Sequence, residues 1–559
     1  MMQDSWKARS VLAALLTFAL SGLAFTDTRT DKVDKLFAEW DKTDSPGCAL
    51  GVIQNGKLIY QRGYGMANLE HNIPIIAKSV FRIGSTSKQF AAMSILLLAE
   101  QGKLSLGDDI RNYLPEMPDY ESPITIRHLI HHTSGLRDYL TLMSLAGKSD
   151  ADYYRDEDLV RLLARQKALN FQPGEKFLYS NSGYFLLSQI VQRASGKSLR
   201  AYAEEHIFKP LGMNHTHFHD DYRMIVKNRA AGYAPVKEDG YRIDMTTLEM
   251  VGDGGVFTTV EDLFLWDQNF YQNRLGSGRL LAQMLTPGTL NNGEKLDYAF
   301  GLRVSEYQGL QMVSHGGAFV GFRAELIRFP KQTFSVICLC NLSRTNPSRL
   351  ARQVADIYLG DQFKATGEGA TEKVEFIELP ERELKEKAGA YRDPASGNIV
   401  KLSVEEGKLT AAGFGLRLPL APVSKTEFRA VGGPVEIAFR FEPQGPDRPL
   451  RLHVQVEDGK PTRYEGVELV SPTAAELQDY AGEYYSEELD VTYRLAVEDG
   501  KLFFRHRNAP ENALEPTLAD EFQVRGWRVN FLRTREGRVS GFTVNAGRVR
   551  NIRFARKAG

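Results

Sequence analysis

Gly84-Ser85-Thr86-Ser87-Lys88 stands immediately before residues 89–101, a stretch that is apolar nearly all round and stops at Gly102. Such a stretch predicts a buried helix, and a glycine just past the end is a common helix stop. If Ser85 opens that helix, Lys88 lies one turn later on the same face, with its ammonium in reach of the hydroxyl. A serine hydroxyl is a weak nucleophile at its ordinary pKa and needs an adjacent base. A buried lysine that sheds its charge can be that base. Average Ser and Lys usage gives roughly one or two Ser-x-x-Lys matches by accident in a chain this long, so the reading depends on what surrounds it.

Before it, residues 49–54 and 57–60 are apolar runs around Asn55-Gly56, the dipeptide favoured in tight hairpins. After it, strand patterns return at 321–329 and 333–342, and 347–359 is amphipathic, with Leu350, Val354 and Ile357 on one face. Strands at both ends with helices between predict an α/β or α+β domain whose first and last strands share one sheet. That domain ends near Gly360. Residues 361–373 are polar, contain Gly367 and Gly369, and read as a linker. Beyond them, short alternating runs between Gly, Pro and Asp turns predict antiparallel barrels or sandwiches. Glu383-Leu384, Ala388-Gly389-Ala390-Tyr391 and Val404 with Gly407-Lys408-Leu409 recur 93 residues later as Glu476-Leu477, Ala481-Gly482-Glu483-Tyr484 and Val497 with Gly500-Lys501-Leu502. The constant offset predicts two copies of one all-β domain. The expected division is 1–24 signal peptide, 25–360 catalytic domain, 361–375 linker, 376–470 first barrel and 471–559 second barrel.

The 559 residues exclude a single small binding module, and 70 basic against 70 acidic side chains leave no net field to draw nucleic acid or anionic lipid. Three cysteines make no disulfide framework. Cys338 and Cys340 alternate along an apolar run and, with Cys48, read as core residues. Lys7 and Arg9 precede the apolar residues 11–20, and Ser21-Gly22-Leu23-Ala24 follow, which reads as a secretory signal cleaved after Ala24. The alternative is an uncleaved anchor extended by Phe25. The address is secreted or periplasmic, with no integral membrane span after signal removal.

Two further motifs follow in order: Tyr179-Ser180-Asn181, and His315-Gly316-Gly317 on a strand-like stretch before Ala318. With Ser85 and Lys88 they resemble the serine β-lactamase and penicillin-binding protein family, in its class C β-lactamase, DD-peptidase and esterase branch. Further matches are 129–136, Pro210-Leu211-Gly212-Met213 and 254–263, and the resemblance spans about residues 32–360. It implies a β-lactamase-like domain, an antiparallel sheet with helices on both sides. The repeats look like the small lipocalin-like barrels behind some secreted serine hydrolases.

Carried over by motif, Ser85 would form an acyl-enzyme while Lys88 and Tyr179 share the proton transfer, with the choice of base left open. Asn181 would bind the substrate's amide, and the backbone amides of Ser85 and Ala318 would hold the oxyanion. Gly316 and Gly317 suit a strand that substrate approaches closely. The departure is His315, where class C β-lactamases and many penicillin-binding proteins have a lysine that recognises a carboxylate. Histidine, with a reference pKa of about 6.5, is mostly neutral at pH 7, so β-lactam hydrolysis should be weak. The His-Gly-Gly form resembles that of esterases and D-aminopeptidases. The latter also carry two barrels, one of which sends a loop to the active site to favour a free amine; residues 505–516 are the candidate loop here.

The resemblance calls for no cofactor. His215, His217 and His219 would share one face of an extended segment and suit a metal, but follow a surface turn of the family; the expectation is no metal. His131-His132 reads as structural. Gly252-Asp253-Gly254-Gly255 lacks the features of a phosphate loop. The leading expectation is a hydrolase of small amides or peptides such as D-amino-acid peptides. The alternatives are a carboxylesterase or DD-carboxypeptidase with weak β-lactamase activity, and a non-catalytic sensor or binding protein. The partner is a small-molecule or peptide substrate, with oligomeric state open.

Overall fold

The computed structural model describes residues 28–149, 151–236, 240–363, 376–413, 416–431, 437–442, 450–456, 460–506 and 512–558. The signal-peptide reading lies outside them, as does most of the linker. No helix among the described residues is long and apolar enough to cross a membrane.

Asn55 and Gly56 both take positive φ, as the tight hairpin requires, and join β1 (Cys48–Gln54) to β2 (Lys57–Tyr64). β3 (Arg303–Tyr307), β4 (Leu310–Phe319), β5 (Phe322–Phe329) and β6 (Phe334–Cys340) complete one antiparallel sheet in the order β3-β4-β5-β6-β1-β2. The first and last strands therefore lie side by side, with Val52 opposite Val336. Helices α1 (Thr28–Phe37) and α5 (Pro347–Leu359) cover one face through Val33, Phe37, Leu350 and Val354. On the other face lie α2 (Lys88–Glu100), α3 (Asn181–Ser195) and α4 (Val260–Gln272), in a core that takes in Ala49, Ile53, Phe90, Phe185 and Trp266. Helix α2 is buried on almost every side, as its composition demands.

Cys48 and Cys340 require a correction. They are core residues, but the register sets them opposite each other and they form a disulfide, leaving Cys338 as a buried free thiol. Their 292-residue separation hides the pairing from sequence, because only the β1–β6 register brings them together.

Strands from Gly389 to Val467 close one eight-stranded antiparallel barrel, and strands from Gly482 to Arg556 close a second. Every strand pairs with its sequence neighbour, so both are up-and-down barrels without a free edge. The first has a core of its own around Phe428, Phe439 and Leu452. The second does not: Leu477, Tyr493, Phe542 and Phe554 belong to the same continuous core as α2 and α3. The second barrel is thus built into the catalytic domain. Arg392–Glu521 and Lys401–Glu515 ion pairs link barrel to barrel.

Candidate active site

Ser85 sits in a single 3-10 turn, Gly84–Ser87, that leads into α2. The turn lies against β4: Thr86 Oγ1 donates to the His315 carbonyl at 3.2 Å. Two glycines permit this approach. A Cβ on Gly84, whose φ is +49°, would stand 2.8 Å from the Ala318 nitrogen, and one on Gly317 would stand 1.9 Å from the Ile83 carbonyl oxygen. Alanine at either position would push strand and serine apart.

Lys88 is fully buried, and its Nζ donates to Ser85 Oγ at 3.0 Å, Asn181 Oδ1 at 3.0 Å and the Asp253 carbonyl at 2.5 Å. An ammonium has three donors, and three acceptors meet them. Asn181 is the first residue of α3, and its backbone N–H donates to Asp138 Oδ2 at 2.8 Å. The Tyr179 ring lies 4.8 Å from Lys88 Nζ. Ser85, Tyr179, Asn181, His315, Gly317 and Ala318 line one open cleft of about 890 Å³, with Lys88 behind it. A smaller pocket leads off Ser85 between Leu140, Leu248, Met250 and Phe319.

His315 is locked neutral. Burial, with Lys88 nearby, pushes its pKa down to about 3. Its Nδ1 faces the Gly316 carbonyl at 2.6 Å and its Nε2 faces the Tyr298 hydroxyl at 2.9 Å. The carbonyl can only accept, so Nδ1 carries the proton and Nε2 accepts from the phenol. Burial holds Tyr298 well above the ordinary phenol range, so the donor persists.

Three contributors escaped sequence reasoning. Asp253, in the Gly-rich stretch dismissed as a phosphate loop, supplies a backbone carbonyl to Lys88, and its carboxylate accepts from the Tyr139 hydroxyl at 3.0 Å. Asp138 holds the start of α3. Arg548, in the second barrel, places its guanidinium 4.7 Å from the Tyr179 ring centroid and lines the Ser85 cleft. Of the 505–516 candidate loop, Arg505 and Asn512 to Pro516 lie in strands and 507–511 fall outside the described residues. Positive signals existed only for Asp253, whose glycine neighbours mark a tight backbone.

The histidines bear on stability. Burial lowers His131 to about 4, His217 to about 4 and His219 to about 3, and holds His132 well below its usual range. His217 and His219 face each other at 3.2 Å while His215 turns to Asp262, so the three imidazoles do not converge on one point. Among the described residues, the Cys48, Cys338 and Cys340 sulfurs cluster, but two are joined in the disulfide. The unfolded chain's histidines titrate near 6.5. Below that pH the unfolded state binds more protons, so stability rises with pH through this window. It is fully present above about 6.5 and lost as pH falls through 4 towards 3. Asp156, raised by burial to about 6, and Asp253, also raised by burial, oppose this, but the histidines outnumber them. Thermal unfolding should therefore show a Tm that falls steadily from pH 6.5 to pH 4; a constant Tm across that range would contradict the burial of these rings.

The family model described as Beta-lactamase matches residues 33–359. Penicillin-binding protein 4* of Bacillus subtilis is 31% identical over 408 residues, covering 69% of this chain and 88% of that protein. The D-aminopeptidase of Brucella ovis is 24% identical over 539 residues, covering 91% of this chain and 96% of its own. Among solved structures, an octameric penicillin-binding protein homologue from Pyrococcus abyssi superposes with a TM-score of 0.55 at 24% identity, covering 78% of this chain and 99% of its own. The sheet flanked by helices, the serine and lysine at the head of α2 and these matches agree: the chain belongs to the Beta-lactamase family and is a serine hydrolase of the β-lactamase and D-aminopeptidase type.

Proposed function

We propose that Ser85 is acylated by small amide or peptide substrates such as D-amino-acid peptides, and that water then releases the acyl group. The observation that carries this is the hydrogen-bonding of Lys88. Asn181 Oδ1 and the Asp253 carbonyl accept two of its N–H bonds. When the amine is neutral, those two bonds aim its lone pair at Ser85 Oγ. Lys88 then takes the hydroxyl proton as Oγ bonds to the acyl carbon. The carbonyl electron pair moves to oxygen, towards the backbone amides of Ser85 and Ala318, each such donor being worth about 2.7–4 kcal/mol to the barrier. Collapse expels the leaving amine, which receives a proton relayed past Tyr179. A water molecule, deprotonated by the same base, then attacks the acyl carbon; the C–Oγ bond breaks, and Lys88 hands that proton to the departing Ser85 Oγ, releasing the acid and restoring the hydroxyl.

The D-aminopeptidase names among relatives support the D-amino-acid preference. Secretion to the periplasm or beyond is part of the proposal: the 1–24 segment has signal character, and the Cys48–Cys340 disulfide suits an oxidising compartment. The test is intact-mass spectrometry of the wild type and of Ser85→Ala after exposure to a fluorophosphonate and to a penicillin. A single adduct on the wild type alone is expected. Folded wild type that takes up neither reagent would overturn the proposal in favour of a binding protein.

A further inference from the structure

A second cavity, of about 950 Å³, opens where the catalytic domain and the two barrels meet. Thr141 and Ser144 of the catalytic domain, Asn398 and Ala412 of the first barrel, and Gln523 and Trp527 of the second stand in its walls. It shares Leu140, Asn181 and Arg548 with the cleft that holds Ser85, so the two spaces adjoin at the reacting centre. Whole small-molecule sites usually occupy about 300–1,000 Å³. This cavity reaches that size beside a serine cleft that already has about 890 Å³.

The walls suit a peptide chain. Lys401 pairs with Glu515 at 2.7 Å, Arg548 has Asp138 at 3.8 Å, and Arg550 donates to the Gly547 and Val549 carbonyls. The side-chain amides of Asn398 and Gln523 bond to no other described residue, and an amide offers both donor and acceptor. Trp527 is half-buried, with the Phe504 ring edge-on to it at 6.1 Å, which makes the indole a rigid apolar platform. An extended peptide presents an N–H and a C=O at nearly every residue with side chains between, and these groups answer both. The Arg392–Glu521 and Lys401–Glu515 pairs fasten the first barrel to the second, which holds the two walls at a set separation.

The proton path says which half of a substrate points there. A leaving amine collects its proton past Tyr179, which lines the serine cleft and is not among the residues lining the cavity. Asn181 lines both, so the acyl half runs past it towards the barrels. We infer that the space between the barrels is an acyl-side peptide channel, and that the enzyme selects acyl groups several residues long over a single amino acid. This rests on the acyl-transfer reading above and gives the first barrel, which has a core of its own, a part in substrate choice.

The experiment uses para-nitrophenyl esters of N-acetylated D-alanine and of its N-acetylated trimer and pentamer, with the wild type, Trp527→Ala and Ala412→Trp. The esters share a leaving group and a blocked amino end and differ only in acyl length. In the wild type kcat/KM should rise about tenfold or more from monomer to pentamer, the value of one well-packed aromatic contact. Trp527→Ala should lose most of that rise, and so should Ala412→Trp, whose added ring fills the channel. Because each pentamer-to-monomer ratio is internal to one protein, a loss of folded enzyme does not imitate the effect. A flat series in active wild type, or a rise unchanged in both variants, would overturn the inference and leave acyl transfer standing. If a fluorophosphonate labels Ser85 but no ester turns over, protection decides: the N-acetylated pentamer acid should slow labelling more than the monomer acid, and equal protection would overturn the channel. If Ser85 is not labelled, both readings fall together.

Discussion

Lys88→Met is expected to lower kcat/KM for every amide and ester by about 10⁴-fold, the upper end of what a positioned general base contributes. Methionine has nearly the lysine's volume, so the buried site stays filled, while the nitrogen that would take the Ser85 proton is gone. Asn181 Oδ1 and the Asp253 carbonyl would each lose a donor, and a buried acceptor left unsatisfied costs about 1–3 kcal/mol. Part of that is offset, because a buried ammonium no longer has to be desolvated. The variant should therefore fold and bind substrate while failing to acylate. Single-turnover kinetics would separate these effects: an acylation rate within tenfold of wild type would assign the base elsewhere, with Tyr179 the first alternative.

Arg137→Ala should have the largest effect on stability. Arg137 is almost fully buried and donates to Gln166, Glu488 and the carbonyls of Arg550 and Asn551, tying the catalytic domain to the second barrel. Glu488 is buried too. Removing one partner of a buried ion pair costs about 3–5 kcal/mol, because the other charge is stranded. Urea unfolding should show a lower midpoint for the joint unit of catalytic domain and second barrel. The double variant Arg137→Met with Glu488→Leu should regain much of the loss, since replacing both partners by apolar groups removes the stranded charge. A single variant unfolding within about 1 kcal/mol of wild type would sink the idea that this pair joins the domains. Catalysis should suffer as well, because Asp138, the next residue, holds Asn181.

What could be seen in the sequence had local causes. The Asn55-Gly56 hairpin, α2 with its stop at Gly102, and the strands near 321–342 each announce themselves within one window of residues, because periodicity and turn chemistry act over short range. Ser85, Lys88, Tyr179 and Asn181, which the structure brings together, each stand inside a short motif in the same way. The rest depends on tertiary placement. Asp253 reaches Lys88 through a backbone carbonyl, which has no side-chain signature. Arg548 belongs to a barrel turn that meets Asp138 only because the second barrel shares the catalytic core. Of the expected contact from 505–516, residues 507–511 lie outside the described residues; the Arg548 turn gave no signal of its own, because alternation identifies strands but not which end of a barrel faces a neighbour.

The Cys48–Cys340 bridge makes the catalytic domain a covalent ring. Every residue that bonds to or stands behind Ser85 in that domain, from Lys88 to His315, lies inside it. Closing a ring this long removes unfolded-state entropy on the order of 5 kcal/mol at 25 °C in the chain-entropy picture. It also means that one peptide-bond cut anywhere in the ring leaves its two pieces tethered, so a nicked active site keeps all its parts on one molecule.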